Sequence, residues 1–410
     1  MTPIALFYIL IGVLIMNYIK DAVLDVCNSK HFNDPIPTDL ADVYEKSDYE
    51  KSQAYKNISA KFSSFHQLYS LTLTLLFFFF NGFNYVDEIA RNSSEHSIVI
   101  TLVFFGIISI GSDLLHTPLS WYKTFVIEER YGFNNTSSTT FILDKLKSIL
   151  VLIVAGGGLL SLMVWFYEFA GTDFWIYAWL LVTIFTLSVN MFYSKLIVPL
   201  FNKQQPLEEG PLKKAIQKYA QTVGFQLNAI YVLDGSKRSS KANAYFSGFG
   251  KQKRITLYDT LIHDLETDEI VAVLAHEIGH YKHKHIIVNL ITSILLAGFT
   301  LWLLSVFISL PILSEALGVA IPSFHIAFIA FGILYTPLSE ITGVAMNIIS
   351  RKFEYQADNY TKETFDAAPL ITALKKLSRN NLSNLTPHAA YVYLNYSHPT
   401  LLQRVKNLKK

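Results

Sequence analysis

The sequence predicts a mainly α-helical, polytopic membrane protein with seven transmembrane helices and one cytoplasmic α+β domain. Composition is the first observation behind this fold class: 51% of the 410 residues are hydrophobic and 16% are charged, where a soluble domain carries about a quarter charged residues. The second is that the hydrophobic residues form long runs, as helices that cross a bilayer require. The third is that the basic residues fall almost entirely in alternate connections between those runs.

Seven runs approach or exceed the roughly 17–25 residues that a helix needs to cross the hydrocarbon core. They are Ile4–Ile19, Leu68–Val86, Ile98–Leu115, Ile149–Phe169, Phe174–Leu200, Ile286–Leu310 and Ile321–Met346. All but two of the 34 lysines and arginines lie on one side of this alternating arrangement. The positive-inside rule makes that side cytoplasmic, with the N-terminus outside and the C-terminus inside. Because no basic region precedes the first run, we expect it to be a retained anchor.

The runs divide the chain into four parts with different expected roles. These are residues 1–200 with helices one to five and cytoplasmic loops at 20–67 and 116–148, residues 201–285 as a cytoplasmic catalytic insert, residues 286–346 with helices six and seven, and residues 347–410 as a C-terminal cytoplasmic part. A net charge of +2 gives no reason to expect nucleic-acid binding. The single cysteine, Cys27, excludes an intrachain disulfide.

The insert has the helix, strand and turn patterns of a small globular domain. Apolar residues from Leu212 to Val223 recur at helical spacing. Ala229–Leu233 has the pattern of a buried strand, and Tyr245–Gly248 with Arg254–Tyr258 has the pattern of a hairpin around a Gly/Lys-rich turn. Thr267 is expected to cap the helix that follows.

That helix carries an HExxH motif at His276-Glu277-Ile278-Gly279-His280. On a helix His276 and His280 lie one turn apart on the same face, so both imidazoles can bind one Zn²⁺. Glu277 then faces the position of the water that it would deprotonate. The motif predicts a zinc peptidase built into a membrane.

A catalytic zinc site needs a third protein ligand and one open position. A third histidine later in the same motif cannot be the ligand, because Ile286 occupies the position where it would lie. Glu354 is the candidate third ligand, with Asp358 four residues later to orient a histidine. If the helices through His276 and Glu354 run straight into the membrane, both residues lie at one depth below it. His283 and His285 are competitors for the metal, although their Lys-rich surroundings favour a basic interfacial collar.

These motifs resemble those of the integral-membrane zinc CAAX prenyl endopeptidases. The resemblance is carried by the HExxH sequence and by Ala242–Gly248, Ser350–Asp358 and Ser397–Arg404. It implies one zinc ion per chain on His276, His280 and Glu354, with Glu277 as general base. It also implies that Asn243, Ala244 and Tyr245 bind the substrate backbone along an edge strand, that His398 and Arg404 lie near the scissile carbonyl, and that the helices enclose a water-filled chamber.

The function predicted is zinc-dependent removal of C-terminal tripeptides from prenylated proteins or peptides. Two alternatives stay open: a broader quality-control protease of membrane proteins, and a non-catalytic transporter or scaffold with structural zinc. The expected partners are a peptide or protein substrate, prenylated where the host prenylates proteins, and the lipid bilayer, without nucleic acid or an obligate protein partner. With no dilysine or KDEL-type signal, a bacterial plasma membrane is favoured, or the endoplasmic reticulum membrane if the source is eukaryotic.

Overall fold

The structure is a computed structural model that describes residues 1–227, 229–247 and 254–410. Helices dominate it, in agreement with the mainly α-helical class predicted. The helices of the first half are α1 Pro3–Ser29, α2 Lys46–Phe79, α3 Gly82–Ser93, α4 Ser97–Tyr122, α5 Ser138–Val151, α6 Gly157–Ala170, α7 Phe174–Leu196 and α8 Val198–Phe201. Two π-helical segments, Lys123–Glu128 and Leu152–Gly156, continue α4 and join α5 to α6.

Five helical stretches in the described part of the chain are long and apolar enough to cross a membrane. They are Pro3–Ser29, Ser97–Glu128, Ser138–Phe201, His285–Phe307 and Phe324–Thr364. The 64-residue stretch Ser138–Phe201 is interrupted at Gly171, whose φ is +54°, and α6 packs against α7 across that break. The helix α2 is not among the five, because its apolar part extends only from Leu68 to Phe79.

The second predicted run, Leu68–Val86, is wrong as a single helix. The helix α2 ends at Phe79, and Asn81 takes a left-handed conformation with φ of 52° before α3 begins at Gly82. The short helix α3 buries Phe83, Val86 and Ala90 against its neighbours. Hydropathy alone does not register this turn, because the residues on both sides of it are apolar.

Two charged side chains of long apolar helices, one on α1 and one on the helix Phe324–Thr364, contact each other. Lys20 of α1 forms an ion pair with Glu340, which lies three residues after Pro337 on the helix Phe324–Thr364. An intramembrane carboxylate is costly unless it meets a cation or water, and this pair provides the cation.

The described residues of the insert form a four-stranded sheet and three helices. The strands are β1 Gln204–Pro206, β2 Ala229–Leu233, β3 Ala244–Ser247 and β4 Arg254–Tyr258, and the helices are α9 Pro211–Thr222, α10 Asp259–Asp264 and α11 Thr267–Lys282. The strand order is β1-β2-β4-β3, with β2 parallel to β4 and the other pairs antiparallel. The hairpin and the strand Ala229–Leu233 are thus confirmed, while Gly248 lies outside the described residues. Strand β3 is at the edge of the sheet.

The HExxH helix α11 packs between this sheet and the remainder of the chain. Ile270, Leu274 and Ile278 are buried in one core with Ile230 of β2 and Leu257 of β4. The cap is one residue earlier than predicted: Glu266, not Thr267, is the N-cap, and it forms a capping box with Glu269. The Glu266 side chain reaches the backbone N–H of Glu269, so this longer residue caps the helix in place of the Ser, Thr, Asp or Asn that is usual there.

The last third of the chain carries the helices that complete this core. They are α12 His285–Phe307, α13 Pro311–Ala316, α14 Phe324–Thr364, α15 Ala367–Asn380, α16 Ala389–Asn395 and α17 Leu401–Lys409. The expectation of a straight helix from α11 into the membrane is wrong, because Lys284 has φ of 60° and separates α11 from α12. The long helix α14 is continuous and packs closely on α11.

Gly279 explains how α11 and α14 approach so closely. A Cβ atom on Gly279 would lie 3.0 Å from Cα of Ala357 and 3.1 Å from Cβ of Tyr360. Since Ala357 lies between Glu354 and Asp358, this contact brings the HExxH motif to the level of both carboxylates.

Candidate metal centre

Three predicted ligands converge where α11 crosses α14. Nε2 of His276 lies 3.1 Å from Nε2 of His280. The two carboxylate oxygens of Glu354 divide between them: Oε2 lies 3.3 Å from Nε2 of His276, and Oε1 lies 3.3 Å from Nε2 of His280. One ligand atom from each residue falls within 4.8 Å of the others. His276 and Glu354 are buried and His280 is half-buried.

These residues fit a zinc ion by donor type and by spacing. Ligands about 2.0–2.1 Å from a tetrahedral zinc lie about 3.3 Å from one another, close to the separations found here. Oε2 of Glu354 is also buried without accepting a hydrogen bond, which is costly for a carboxylate that binds nothing further. Two neutral imidazoles and one carboxylate are the donor set of a catalytic zinc site with an open position.

A second layer of contacts orients His276. Oδ1 of Asp358 lies 3.0 Å from Nδ1 of His276, which leaves Nε2 for the metal. Arg404 of α17 holds Asp358 with two hydrogen bonds, from Nη2 at 2.5 Å and from Nε at 3.0 Å. Asp358 is fully buried, so this bidentate pair compensates a carboxylate that has no access to water.

The charges around His276 oppose one another. Burial lowers the pKa of His276 and the positive charge of Arg404 lowers it further, but close contacts with Asp358 and Glu354 outweigh both, so its pKa lies above the usual value. Burial likewise lowers the pKa of Arg404. The negative charges of Asp358, Glu354 and Glu277 outweigh burial, so its pKa lies above the usual value. Arg404 is therefore a permanent cation inside this cluster of carboxylates.

His285 orients His280 and does not lie in the basic collar that the His-Lys-His run predicts. His285 is buried, and its Nδ1 lies 3.0 Å from Nδ1 of His280. Its Nε2 lies 2.7 Å from Oε1 of Gln356, and its ring stacks on Phe353 at 4.0 Å. When His285 donates from Nε2 to Gln356, its Nδ1 accepts from Nδ1 of His280, and Nε2 of His280 is left unprotonated for the metal.

The remaining predicted residues differ in their distance from this group. Nε2 of His398 lies 3.2 Å from Oε1 of Glu354, and its side chain is exposed. Glu277 is half-buried and makes no hydrogen bond or ion pair within the described residues. Its charge reaches Arg404, which places it on the same side of α11 as the cluster. A half-buried carboxylate without a partner is free to bind water.

Ala244 and Tyr245 lie on the edge strand and Asn243 directly precedes it, without a direct contact to the three ligands in the described part of the chain. The side-chain oxygen of Asn243 accepts a hydrogen bond from N–H of Ala244 at 2.8 Å, and its carbonyl accepts one from N–H of Tyr258 at 3.1 Å. Ala244 pairs with Leu257 and Tyr245 with Thr256 of β4, so the other edge of β3 faces away from the sheet. That edge can accept an extended peptide.

The combination of fold and site defines an integral-membrane metallopeptidase of the HExxH type. The apolar helices place the chain in a membrane, and the two-histidine, one-glutamate cluster beside an unpartnered glutamate is the arrangement that metal-assisted peptide hydrolysis uses. The chain belongs to peptidase family M48: residues 206–410 match the model of that family, and residues 26–203 match the model of the CAAX prenyl protease N-terminal region, described as five membrane helices.

Individual relatives agree over nearly the whole chain. The CAAX prenyl protease 1 homolog of Oryza sativa is 34% identical, with 97% of this chain and 95% of the relative aligned. CAAX prenyl protease 1 of Saccharomyces cerevisiae is 35% identical over 91% of this chain and 88% of its own. The crystal structure of Ste24p from S. mikatae superposes with a TM-score of 0.94 at 33% identity and covers 99% of both chains. The chain is a metalloendopeptidase of this kind.

Proposed function

We propose that the protein removes C-terminal tripeptides from prenylated proteins or peptides by zinc-dependent hydrolysis. The observation that carries the proposal is the convergence of His276, His280 and Glu354 beside Glu277 of the HExxH helix. The relatives named CAAX prenyl protease 1 support the substrate class. The broader alternative, quality control of membrane proteins, uses the same chemistry and differs only in the peptides accepted.

His276, His280 and Glu354 would hold the metal. When bound there, zinc supplies a Lewis acid that polarises the scissile carbonyl and makes water easier to deprotonate. Asp358 and His285 keep the two imidazoles in the tautomers that leave Nε2 available.

Glu277 is proposed as the general base and then the general acid. Its carboxylate accepts the proton of the attacking water and passes it to the leaving amine as the peptide bond breaks, so one residue serves both steps. The half-buried position without a partner keeps the carboxylate available for this exchange.

The flanking residues would bind the substrate. Asn243, Ala244 and Tyr245 offer the backbone of an edge strand, and His398 offers an exposed imidazole beside Glu354 that can donate to the developing negative charge. The contacts of Arg404 favour a positioning role, because its guanidinium is engaged by Asp358 and turned toward His276. Arg404 would act on the carbonyl through that histidine rather than by direct contact.

For the membrane arrangement, we propose seven spans, the second ending at Phe79 rather than at Val86, with the N-terminus outside and the four chain parts as bounded above. Division of Ser138–Phe201 at Gly171 and addition of the apolar end of α2 turn the five membrane-capable stretches into seven. The orientation rests on the basic residues alone. The choice between a bacterial plasma membrane and the endoplasmic reticulum stays a prediction; the relatives reported above come from eukaryotes.

The test is product analysis by mass spectrometry with purified protein in detergent. Matched peptides ending in a CAAX sequence, with and without a farnesyl group, are incubated with and without a zinc chelator. We expect release of the last three residues from the farnesylated peptide only, and none with the chelator. Equal cleavage of both peptides, or cleavage at other bonds, would move the function to general membrane proteolysis.

Glu277→Gln is the companion variant. The amide cannot take a proton, so we expect at least about 100-fold slower turnover with one zinc still bound per chain. Metal content by inductively coupled plasma mass spectrometry is the control. Full activity in this variant would remove Glu277 from the mechanism.

A further inference from the structure

A cavity of about 330 Å³, lined by polar and apolar side chains, lies between α2 and the end of α4, outside the metal cluster. Its lining includes Tyr55, Ser59, Ser63 and His66 from α2, with Ser120 and Lys123 where α4 passes into the π-helical segment. The cavity thus presents the ammonium group of Lys123, the imidazole of His66 and the hydroxyls of Ser59 and Ser63, while the hydroxyl of Tyr55 donates to Glu128 and that of Ser120 to the carbonyl of His116.

The lining favours an anion with several acceptor oxygens. None of the residues that line the cavity, all within the described part of the chain, carries a carboxylate. No ion pair to Lys123 occurs among the described residues. The ring of His66 lies 5.2 Å from that of His116, which adds a second imidazole beside the cavity. Ammonium, imidazole and hydroxyl donors around one space suit a carboxylate or a phosphate.

Tyr55 connects this cavity to the edge strand. Its hydroxyl donates to Oε1 of Glu128 at 2.7 Å and accepts from Nζ of Lys241 at 3.1 Å. Lys241 lies two residues before Asn243, and β3 begins directly after Asn243. Tyr55 also packs in one apolar cluster with Val405, the neighbour of Arg404.

Direction and length match the leaving tripeptide. A peptide that adds antiparallel to the free edge of β3 runs with its C-terminal residues toward Lys241. Three extended residues span about 10 Å. The chain from Asn243 back to Lys241 covers about 7 Å of that distance, and the Lys241 side chain leads on to Tyr55 at the cavity.

We propose that this cavity binds the free C-terminal carboxylate of the substrate, with Lys123 as its ion partner and the hydroxyls of Ser59 and Ser63 as donors. The inference rests on the proposed function, since only a protease that releases a short C-terminal peptide has a carboxylate at this distance. Binding of the carboxylate sets how far the scissile bond lies from the chain end. The cavity would therefore select for release of three residues.

The test compares two farnesylated CAAX peptides that differ only in a C-terminal carboxylate or carboxamide. Wild-type protein, Lys123→Met and Lys123→Arg are assayed in phospholipid-free detergent, with Lys61→Met as the matched control, because Lys61 is an exposed lysine of α2 that does not line the cavity. Zinc content and thermal unfolding of each variant separate loss of fold from loss of binding.

We expect Lys123→Met to raise KM for the carboxylate peptide about 10-fold or more, with kcat little changed, and to alter the amide peptide less than two-fold. Lys123→Arg should restore the preference for the carboxylate, and Lys61→Met should behave as wild type. Equal KM for both peptides in the wild type, or an equal effect of Lys123→Met on both, would overturn the inference and leave the proposed function standing.

Two further outcomes are distinguishable. An effect of Lys123→Met that appears only when phosphatidate is added, and is the same for both peptides, would assign the cavity to a lipid phosphate and overturn the inference. Failure of the wild type to release a tripeptide from either peptide would defeat the proposed function, and the inference with it.

Discussion

At the scale of single residues, the least expected feature is His285. The run His283-Lys284-His285 suggested a basic collar at the membrane surface, yet His285 is 3% exposed and bridges His280 to Gln356. The left-handed conformation of Lys284 turns the chain so that His283 stays exposed while His285 enters the site. His285 would therefore orient His280 as a metal ligand without binding the metal itself.

We expect His285→Phe to weaken zinc binding about 10–100-fold, because His280 loses the partner that fixes its ring and tautomer. Phenylalanine keeps the stacking on Phe353, so the fold should be retained. His283→Phe is the matched control and should bind zinc as the wild type does. The measurement is competition against a calibrated chelator; equal zinc affinity in both variants would show that His285 does not support the site.

The residues predicted from sequence were those with a local pattern. His276 and His280 follow from helical spacing, and Glu354 and Asp358 from a second helical pair four residues apart. The contacts that support them join distant segments: Arg404 lies 46 residues from Asp358 in the chain. Spacing contains no information on such a contact, and only the resemblance to a known family drew attention to Arg404.

At the scale of elements, the site depends on how closely α11 and α14 pack. The glycine inside the HExxH motif permits the approach, since Cα of Ala357 is 3.0 Å from the position that a Cβ of Gly279 would take. The neighbouring atom is backbone and cannot rotate away. A shift of the two helices would separate His280 from Glu354.

Gly279→Ala should destabilise the protein by about 1–3 kcal/mol and reduce zinc binding, because the added methyl group pushes α14 away from α11. Gly343→Ala on α14 is the control, with no atom within 4 Å of the new Cβ. Thermal unfolding and zinc stoichiometry are measured for both. Wild-type values in Gly279→Ala would mean that the contact is not what aligns the ligands.

The bounds of helices and strands could be predicted where the residue types that form the element also mark its ends in the sequence. Ala229–Leu233 and Arg254–Tyr258 have the predicted bounds, because short runs rich in β-branched and aromatic residues between polar or turn residues are typical of strands. The turn at Asn81 was missed, since a single left-handed residue inside an apolar run changes the helix direction without changing the hydropathy. The break at Lys284 was missed as well, because a positive φ at a lysine within a polar run cannot be recognised from the residue types around it.

At the scale of the whole molecule, the catalytic insert is tied to the membrane helices just before its edge strand. Nζ of Lys241 lies 3.0 Å from Oε2 of Glu128, at the end of the π-helical segment that extends α4. Arg238 makes a bidentate pair with Asp144 of α5, at 2.7 and 2.9 Å. The segment before β3 is thus joined to the helical part of the chain by two ion pairs, together with backbone contacts such as N–H of Asn135 to the carbonyl of Arg238.

The pair between Lys241 and Glu128 should contribute measurably to stability. Burial lowers the pKa of Lys241, but hydrogen bonds with Tyr55 and Glu128 outweigh it, so the pKa lies above its usual 10.5. A raised lysine pKa means that the stabilisation is fully present below about pH 10.5 and is lost as the pH rises through the raised value. At neutral pH the pair is therefore intact.

We expect Lys241→Met to lower the free energy of unfolding by about 1–2 kcal/mol at pH 7, because Glu128, whose side chain is 17% exposed, loses its cation. The figure is below that of a fully buried pair, since the Lys241 side chain is 36% exposed. Glu128→Gln should lower the free energy of unfolding by less, and the double variant should lower it by less than the sum of the two single variants.

The pair of Lys375 with Asp42, whose side chain is 68% exposed, is the control and should couple by less than about 0.5 kcal/mol. Equal coupling in the two pairs would mean that the Lys241–Glu128 pair does not stabilise the junction before β3, which then depends on the Arg238–Asp144 pair and on backbone contacts such as N–H of Asn135 with the carbonyl of Arg238 at 3.0 Å.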